Sequence, residues 1–236
     1  MSILCVIPVR GGSKGVPRKN LRVVAGKPLV VWTIEQALAA RADLDVLVST
    51  DDPEIAGVAK DAGADVPFLR PSTLARDETP TEPVVRHAIG VRVEQGRRPE
   101  AVMLLQATSP VRFAGTLDRA VEQFHASGVD SLVGVVPQTP FLWMMGTDPI
   151  AAYEPSRRPR RQDLSAEDYA YRETGSLYLT KTSLYSECGS RLGGRIGLFV
   201  MDEREGVDVD TELDLLIAEQ HLDWFRSELD GGERAS

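Results

Sequence analysis

Short, unbroken apolar runs alternate along the chain with longer stretches whose apolar positions recur at helical spacing. Ile3-Leu4-Cys5-Val6-Ile7 is the first run and has strand length; Val46-Leu47-Val48-Ser49-Thr50 is the second. Residues 66–69, 101–105, 131–136, 175–179 and 196–200 repeat the pattern. Between these runs the sequence predicts helices. Residues 27–40 carry Pro28 near the start and Trp32, Ile34 and Leu38 at apolar positions. Asp51-Asp52-Pro53-Glu54 supplies a capping aspartate, a first-turn proline and early acidic charge to a helix that stops at Gly63. Residues 82–94 and 116–126 read as helices, the second ended by Gly128, and a last helix covers 211–225. Runs that are apolar throughout belong to strands buried on both faces. The alternation therefore predicts a three-layer α/β architecture, a doubly wound and mostly parallel sheet. Ligands of such sheets bind beyond the carboxyl ends of the strands, so the residues just after each strand carry the chemistry.

The alternation breaks over 138–170. Pro140, Pro149, Pro155 and Pro159 interrupt this stretch, Trp143-Met144-Met145 is an apolar cluster, and Arg157-Arg158-Pro159-Arg160-Arg161 is a basic run. It is too long for a simple loop and reads as an arm or lid inserted into a single domain over 1–228, with 229–236 a disordered tail. The 236 residues are 42% hydrophobic and 26% charged, which suits one soluble domain. The first apolar run contains Pro8 and ends at Arg10, too short to span a membrane and without a signal-peptide cleavage pattern. A cytoplasmic location with no membrane partner is expected. Cys5 and Cys188 are too few for a disulfide framework, and Cys5 reads as a core residue.

The net charge of −8 disfavours a general nucleic-acid binder. Cations are nevertheless concentrated: Arg10, Lys14, Arg18, Lys19 and Arg22 fall within thirteen residues that contain no acid. In Arg10-Gly11-Gly12-Ser13-Lys14-Gly15 the glycines let the backbone approach a ligand and turn its N–H groups inward, which suits a small polyanion. The loop has neither the ending of a P-loop nor the three-glycine dinucleotide fingerprint. After the run 101–105 come Gln106, Thr108 and Ser109, neutral hydrogen-bonding groups fit for a polyhydroxylated substrate or a base; a helix-entry loop closed by Ser109-Pro110 accounts for them equally. Arg70 follows another run, leads into Asp77-Glu78-Thr79-Pro80, and is a candidate phosphate or base contact. In Gly206-Val207-Asp208-Val209-Asp210 an extended backbone points Asp208 and Asp210 to one face. Two adjacent carboxylates call for a cation, and Mg²⁺ favours one or two carboxylates plus phosphate oxygens; helix capping by Asp210 is the alternative. His87, His125 and His221 lie in predicted helices and read as structural.

At this point a resemblance emerges. Residues 7–21, followed by Gly26-Lys27-Pro28-Leu29, look like the opening of the acylneuraminate cytidylyltransferases (CMP-sialic acid synthetases). So do Ser49-Thr50-Asp51, Leu69-Arg70-Pro71, residues 104–112, Gly175-Ser176-Leu177-Tyr178 and residues 208–214, in order over most of the chain. The resemblance implies a Rossmann-like nucleotidyltransferase fold with a protruding dimerisation arm. It implies transfer of CMP from CTP to the anomeric hydroxyl of a nine-carbon 2-keto sugar acid, with Mg²⁺ (or Mn²⁺) and a homodimer. Carried onto this chain, it places Arg10, Gly11, Gly12, Ser13, Lys14, Lys19, Asn20 and Arg70 on the nucleotide. Gln106, Thr108, Ser109, Arg172 and Tyr178 fall on the sugar, and Asp208 and Asp210 on the metal; Arg10, Lys19, Asp208 and Asp210 form the catalytic set. The chain departs from the family's common residues at Ala107, Glu173 and Thr174, near the expected sugar side. Sialic, legionaminic and pseudaminic acids all stay open as acceptors. Three rivals remain: a cytidylyltransferase for the eight-carbon sugar Kdo, a nucleotide-sugar glycosyltransferase with an Asp-x-Asp metal site, and a catalytically silent nucleotide-binding module.

Overall fold

The computed structural model describes residues 2–13 and 15–232. In chain order the elements are β1 Ile3–Pro8, the short strands β2 Val23–Val24 and β3 Lys27–Pro28, α1 Leu29–Leu38, β4 Leu44–Ser49, α2 Pro53–Asp61, α3 Thr81–Glu94, β5 Ala101–Leu104, α4 Thr116–Ser127, β6 Ser131–Gln138, β7 Trp143–Met144, β8 Ile150–Ala151, β9 Ala170–Lys181, α5 Thr182–Glu187, β10 Ile196–Val200 and α6 Glu212–Gly232. Six of the strands form one sheet in the order β10-β6-β9-β5-β1-β4. Five of them share a direction, and β9 runs antiparallel between β5 and β6.

The unbroken apolar runs have a simple cause: both faces of the sheet are covered. On β1, Ile3, Cys5 and Ile7 face a layer built with Val30 and Ile34 of α1, Ile55 of α2 and Phe124 of α4. Leu4 and Val6 face the opposite layer, with Val85 and Ala88 of α3 and Tyr185 of α5. A third cluster docks α6 through Leu215, Ala218 and Leu222 against Leu29 and Trp32. Helix α2 starts as its sequence dictates, with the Asp52 carboxylate accepting from the backbone N–H groups of Glu54 and Ile55. Gly128 ends α4 at φ 62°.

Three expectations change. Residues 66–69 form no strand; they touch β4 through the isolated bridges Leu47↔Asp65 and Thr50↔Leu69, and Pro67 has no N–H to donate to a ladder. The run expected at 175–179 belongs to a strand of twelve residues. Helix α6 reaches Gly232, so the expected tail is helical over 229–232, and 233–236 lie outside the described residues. The arm leaves the sheet after β6, makes the β7–β8 hairpin and three single 3₁₀ turns, and returns as β9. It exposes Trp143, Met144, Met145 and Ile150. No helix among the described residues is long and apolar enough to cross a membrane.

Candidate active site

The sheet order sets where a cleft opens. From β1 the chain goes outward to β4, then crosses back to β5 on the other side of β1. The chain thus leaves β1 toward β4 and leaves β5 toward β6, on opposite sides of this strand pair, and a crevice lies beyond their carboxyl ends. There the structure has a cleft of about 350 Å³ whose lining includes Arg10, Gly12, Ser13, Lys19, Asn20, Arg70, Gln106 and Thr108.

Two of the loop's glycines, Gly11 and Gly15, sit where neighbours leave no room for a side chain. Gly11 donates its N–H to Asp51 Oδ1 at 3.1 Å, and a Cβ at Gly11 would sit 2.9 Å from the Asp52 Cβ. Gly15 approaches the Asp210 carbonyl so closely that a Cβ there would overlap it. Gly12 faces open space. Lys14, expected to contact the nucleotide, lies outside the described residues. The loop ends in a 3₁₀ turn over Lys19–Leu21 that buries Lys19, 7% exposed. A buried ammonium needs partners: Lys19 Nζ donates to the Val209 carbonyl and to Asp210 Oδ1, the latter at 3.1 Å. Asn20 Nδ2 donates to the Arg10 carbonyl, while its buried Oδ1 has no partner among the described residues. Arg10 pairs with Asp77 on the cleft wall.

Arg70 joins two strand ends. Its guanidinium, 7% exposed, donates to Ser49 Oγ at 3.1 Å, to the Val9 carbonyl at 3.2 Å and to the Ser49 carbonyl. Burial lowers its pKa to about 10, Asp51 opposing, so it stays charged at neutral pH.

The opposite wall gathers segments far apart in sequence. The Val209 N–H donates to the Thr108 carbonyl at 2.7 Å, and Ser109 Oγ lies 3.3 Å from Asp208 Oδ1. Gln106 packs against Gly175, where a Cβ would overlap its side-chain oxygen. Behind this wall the buried Arg112 donates to the carbonyls of Gln106 and Ser176 and to Thr33 and Gln36, tying the wall to β9 and α1. Burial brings the Arg112 pKa to about 10. Arg172 donates to the Gly206 carbonyl at 2.8 Å and so braces the acidic segment from behind. Tyr178 is buried beside the cleft rather than lining it; its hydroxyl donates to Glu173. Burial, then that hydrogen bond, raises its pKa, and the phenol stays neutral.

Asp208 and Asp210 flank the fully buried Val209, and the Asp210 side chain is 77% exposed. No cluster of three or more His, Cys, Asp or Glu among the described residues forms a closed metal site. The segment offers two carboxylates, Asp208 Oδ1 beside Ser109 Oγ and Asp210 Oδ1 beside Lys19 Nζ. The cleft also holds residues not singled out above: Arg76, Thr79 and Thr81 line it beside Asp77. Their signal was available in the polar run after Arg70-Pro71. Arg112 gave none, since its role depends on which chain segments surround it.

Residues 4–144 match the family described as cytidylyltransferase. The chain belongs to the cytidylyltransferase family. It is 35% identical over 93% of its length to the N-acylneuraminate cytidylyltransferase A of Danio rerio, of which the match covers 50%. It is 32% identical to the pseudaminic acid cytidylyltransferase of Campylobacter jejuni, over 92% of this chain and 95% of that protein. This chain thus spans half of the fish relative and nearly all of the bacterial one. The solved CMP:2-keto-3-deoxy-manno-octonic acid synthetase complexed with CTP shares the fold, with TM-score 0.65 and 20% identity over 93% of this chain and 100% of that one. The glycine loop meets the Asp208–Asp210 segment through Lys19, which lines the cleft and bonds Asp210; the two aspartates themselves are not among the cleft-lining residues described.

Proposed function

We propose that this cytidylyltransferase transfers CMP from CTP to the anomeric hydroxyl of a nonulosonic acid, releasing pyrophosphate. The observation that carries this reading is the Lys19 ammonium, which joins the glycine loop to the Val209 carbonyl and the Asp210 carboxylate. A triphosphate laid on the loop then reaches the acidic segment. The two relatives above are named for two different nonulosonic acids, which supports an acceptor of that class.

In the reaction the sugar hydroxyl oxygen attacks the α-phosphorus in line. The new P–O bond forms as the bond to the β-phosphate's bridging oxygen breaks, pyrophosphate leaves with that oxygen, and the hydroxyl proton passes to solvent water. Catalysis is then positioning and charge neutralisation. Arg10 leaves Asp77 for the phosphates, Gly12 and Ser13 give the chain room beneath them, and Lys19 neutralises charge close to Asp210. Arg70 and the unpartnered Asn20 Oδ1 face the nucleoside. Gln106 and Thr108 form the wall where the acceptor lies, with Ser109 holding Asp208 behind them. Asp208 and Asp210 would hold Mg²⁺ or Mn²⁺, which would supply positive charge against the phosphates and lower the pKa of the attacking hydroxyl. The exposed apolar arm packs against a second copy in a homodimer, and the enzyme works in the cytoplasm.

Pyrophosphate release with CTP, Mg²⁺ and a panel of nonulosonic acids plus Kdo tests the reading. Turnover with at least one nonulosonic acid is expected. Turnover with Kdo alone, or CTP binding with no turnover on any sugar acid, refutes it.

A further inference from the structure

A second cavity, of about 290 Å³, lies outside the cleft, between α1, α4 and α6. Its size is near the lower end for ligand pockets and suits a molecule of one or two rings. Trp32, Leu117 and Leu222, one from each helix, make its lining apolar, and the buried Arg112 belongs to the same lining. A guanidinium has five N–H groups, and in Arg112 all are spent. Nε donates to the Ser176 carbonyl, Nη1 to Thr33 Oγ1 and Gln36 Oε1, and Nη2 to the carbonyls of Gln106 and Ser176. These bonds use the plane of the guanidinium. What it still offers is its flat face, on which an aromatic ring stacks.

The other side-chain donors of the lining are spent as well. Trp32 Nε1 donates to the Val24 carbonyl at 2.9 Å, and Gln36 Nε2 to the Pro110 carbonyl at 2.8 Å. The carboxylates of Glu35 and Asp118 remain in the lining, and a carboxylate oxygen accepts more than one bond. The lining therefore welcomes a ligand that brings N–H donors. It refuses an anion, because carboxylates already stand at the start of α4. Asp118 lies in its first turn, and the buried Glu205 accepts from the Phe113 N–H at 2.8 Å and from Thr116 Oγ1 at 2.6 Å. The positive end of that helix is thus matched.

Arg112 also reaches the cleft. Gln106 lines the cleft and not this cavity, yet its carbonyl is held by the guanidinium that the cavity exposes. We infer that the cavity between α1, α4 and α6 is a second ligand site, for a flat aromatic molecule that bears N–H donors and no negative charge, and that Arg112 relays its occupancy to the Gln106 wall of the cleft. Such a site stands whatever the cleft transfers.

The experiment titrates 2-aminobenzimidazole, a two-ring probe with N–H donors, into the full chain, with and without CTP, by calorimetry and amide NMR. Indole-3-carboxylate supplies a ring with negative charge, and cyclohexylamine a donor without an aromatic face. The first probe is expected to bind one to one with a Kd of about 1 mM or below, the other two at least about tenfold more weakly. Ala39 and Ala114 are exposed and line different walls of the cavity, so Ala39→Phe and Ala114→Phe fill it with folding retained. Each should weaken the first probe at least about tenfold. The Ala107 and Leu177 amides share peptide groups with the Gln106 and Ser176 carbonyls. Their resonances should move with the probe's own Kd in the wild type. No binding, equal binding of the three probes, or binding that survives both filled variants overturns the inference. So do Ala107 and Leu177 resonances that stay still as the probe binds. A filled variant that changes the oligomeric state overturns it too, and gives the cavity to contact with a second copy.

Discussion

Lys19 and Asp210 touch each other but differ in what they owe to folding. Lys19 is buried, and its removal strands the Val209 carbonyl; Asp210 is mostly in solvent. An unsatisfied buried acceptor costs about 1–3 kcal/mol, so Lys19→Met is expected to lower the melting temperature as well as activity. Asp210→Asn should leave the melting temperature almost unchanged and cut pyrophosphate release by about a hundredfold or more, the scale of a lost transition-state contact. Near-normal release by that variant would remove Asp210 from the chemistry. A third residue answers to pH. The His87 ring stands edge-on to Phe68 with centroids 4.4 Å apart, and its Nδ1 has no partner. Burial, then the positive charge of Arg70, lowers its pKa below 6.5. Below pH 6.5 the unfolded chain therefore binds a proton that the folded chain refuses, and stability falls as pH drops toward the folded-state pKa. Urea midpoints should decline between about pH 7 and pH 5, and His87→Gln should flatten that decline; an identical slope in the variant would place its origin elsewhere.

At the scale of elements, the glycine loop is the most sequence-determined part of the cleft. Gly11→Ala puts a methyl into the Asp52 side chain, which is itself held as the cap of α2. The loop must move, and the expected outcome is a CTP KM raised severalfold with the acceptor KM little changed, read by steady-state kinetics. Equal effects on both substrates would mean that the loop does not carry the nucleotide. This loop was legible because glycines and cations crowded after an apolar run have few structural uses. The sheet was legible for the same kind of reason, since apolar runs such as Ile3–Pro8 need cover on both faces. Strand β9 was not. Tyr171, Arg172 and Glu173 are exposed, so its first half carries no apolar signature, and direction leaves no trace in composition. The 74–81 segment was half legible: its polar character showed, but only the fold brings Arg76, Asp77, Thr79 and Thr81 to the mouth of β1.

Over the whole molecule two electrostatic scales compete. The chain carries −8, which repels a nucleoside triphosphate at long range, while among the described residues the charged lining of the cleft is Arg10, Lys19, Arg70 and Arg76 against Asp77. The Debye length decides between them. At 0.15 M salt it is about 8 Å, less than half the radius of gyration of about 17–18 Å expected for a folded chain of this length. The distant acids are then screened from an approaching triphosphate, and the cleft cations act nearly alone. At 0.01 M the screening length of about 30 Å exceeds that radius, and far more of the net charge is felt at the cleft. Raising salt from physiological to about 0.5 M should therefore raise the CTP KM, because only attraction remains to be screened. Lowering salt toward 0.01 M should improve it less than the cleft cations alone would give. Arg76→Ala should weaken the high-salt response, as one of the charges behind it is gone. A CTP KM that falls steadily as salt rises would show that the acidic surface dominates at every distance, and that the cations of the cleft do not draw in the triphosphate.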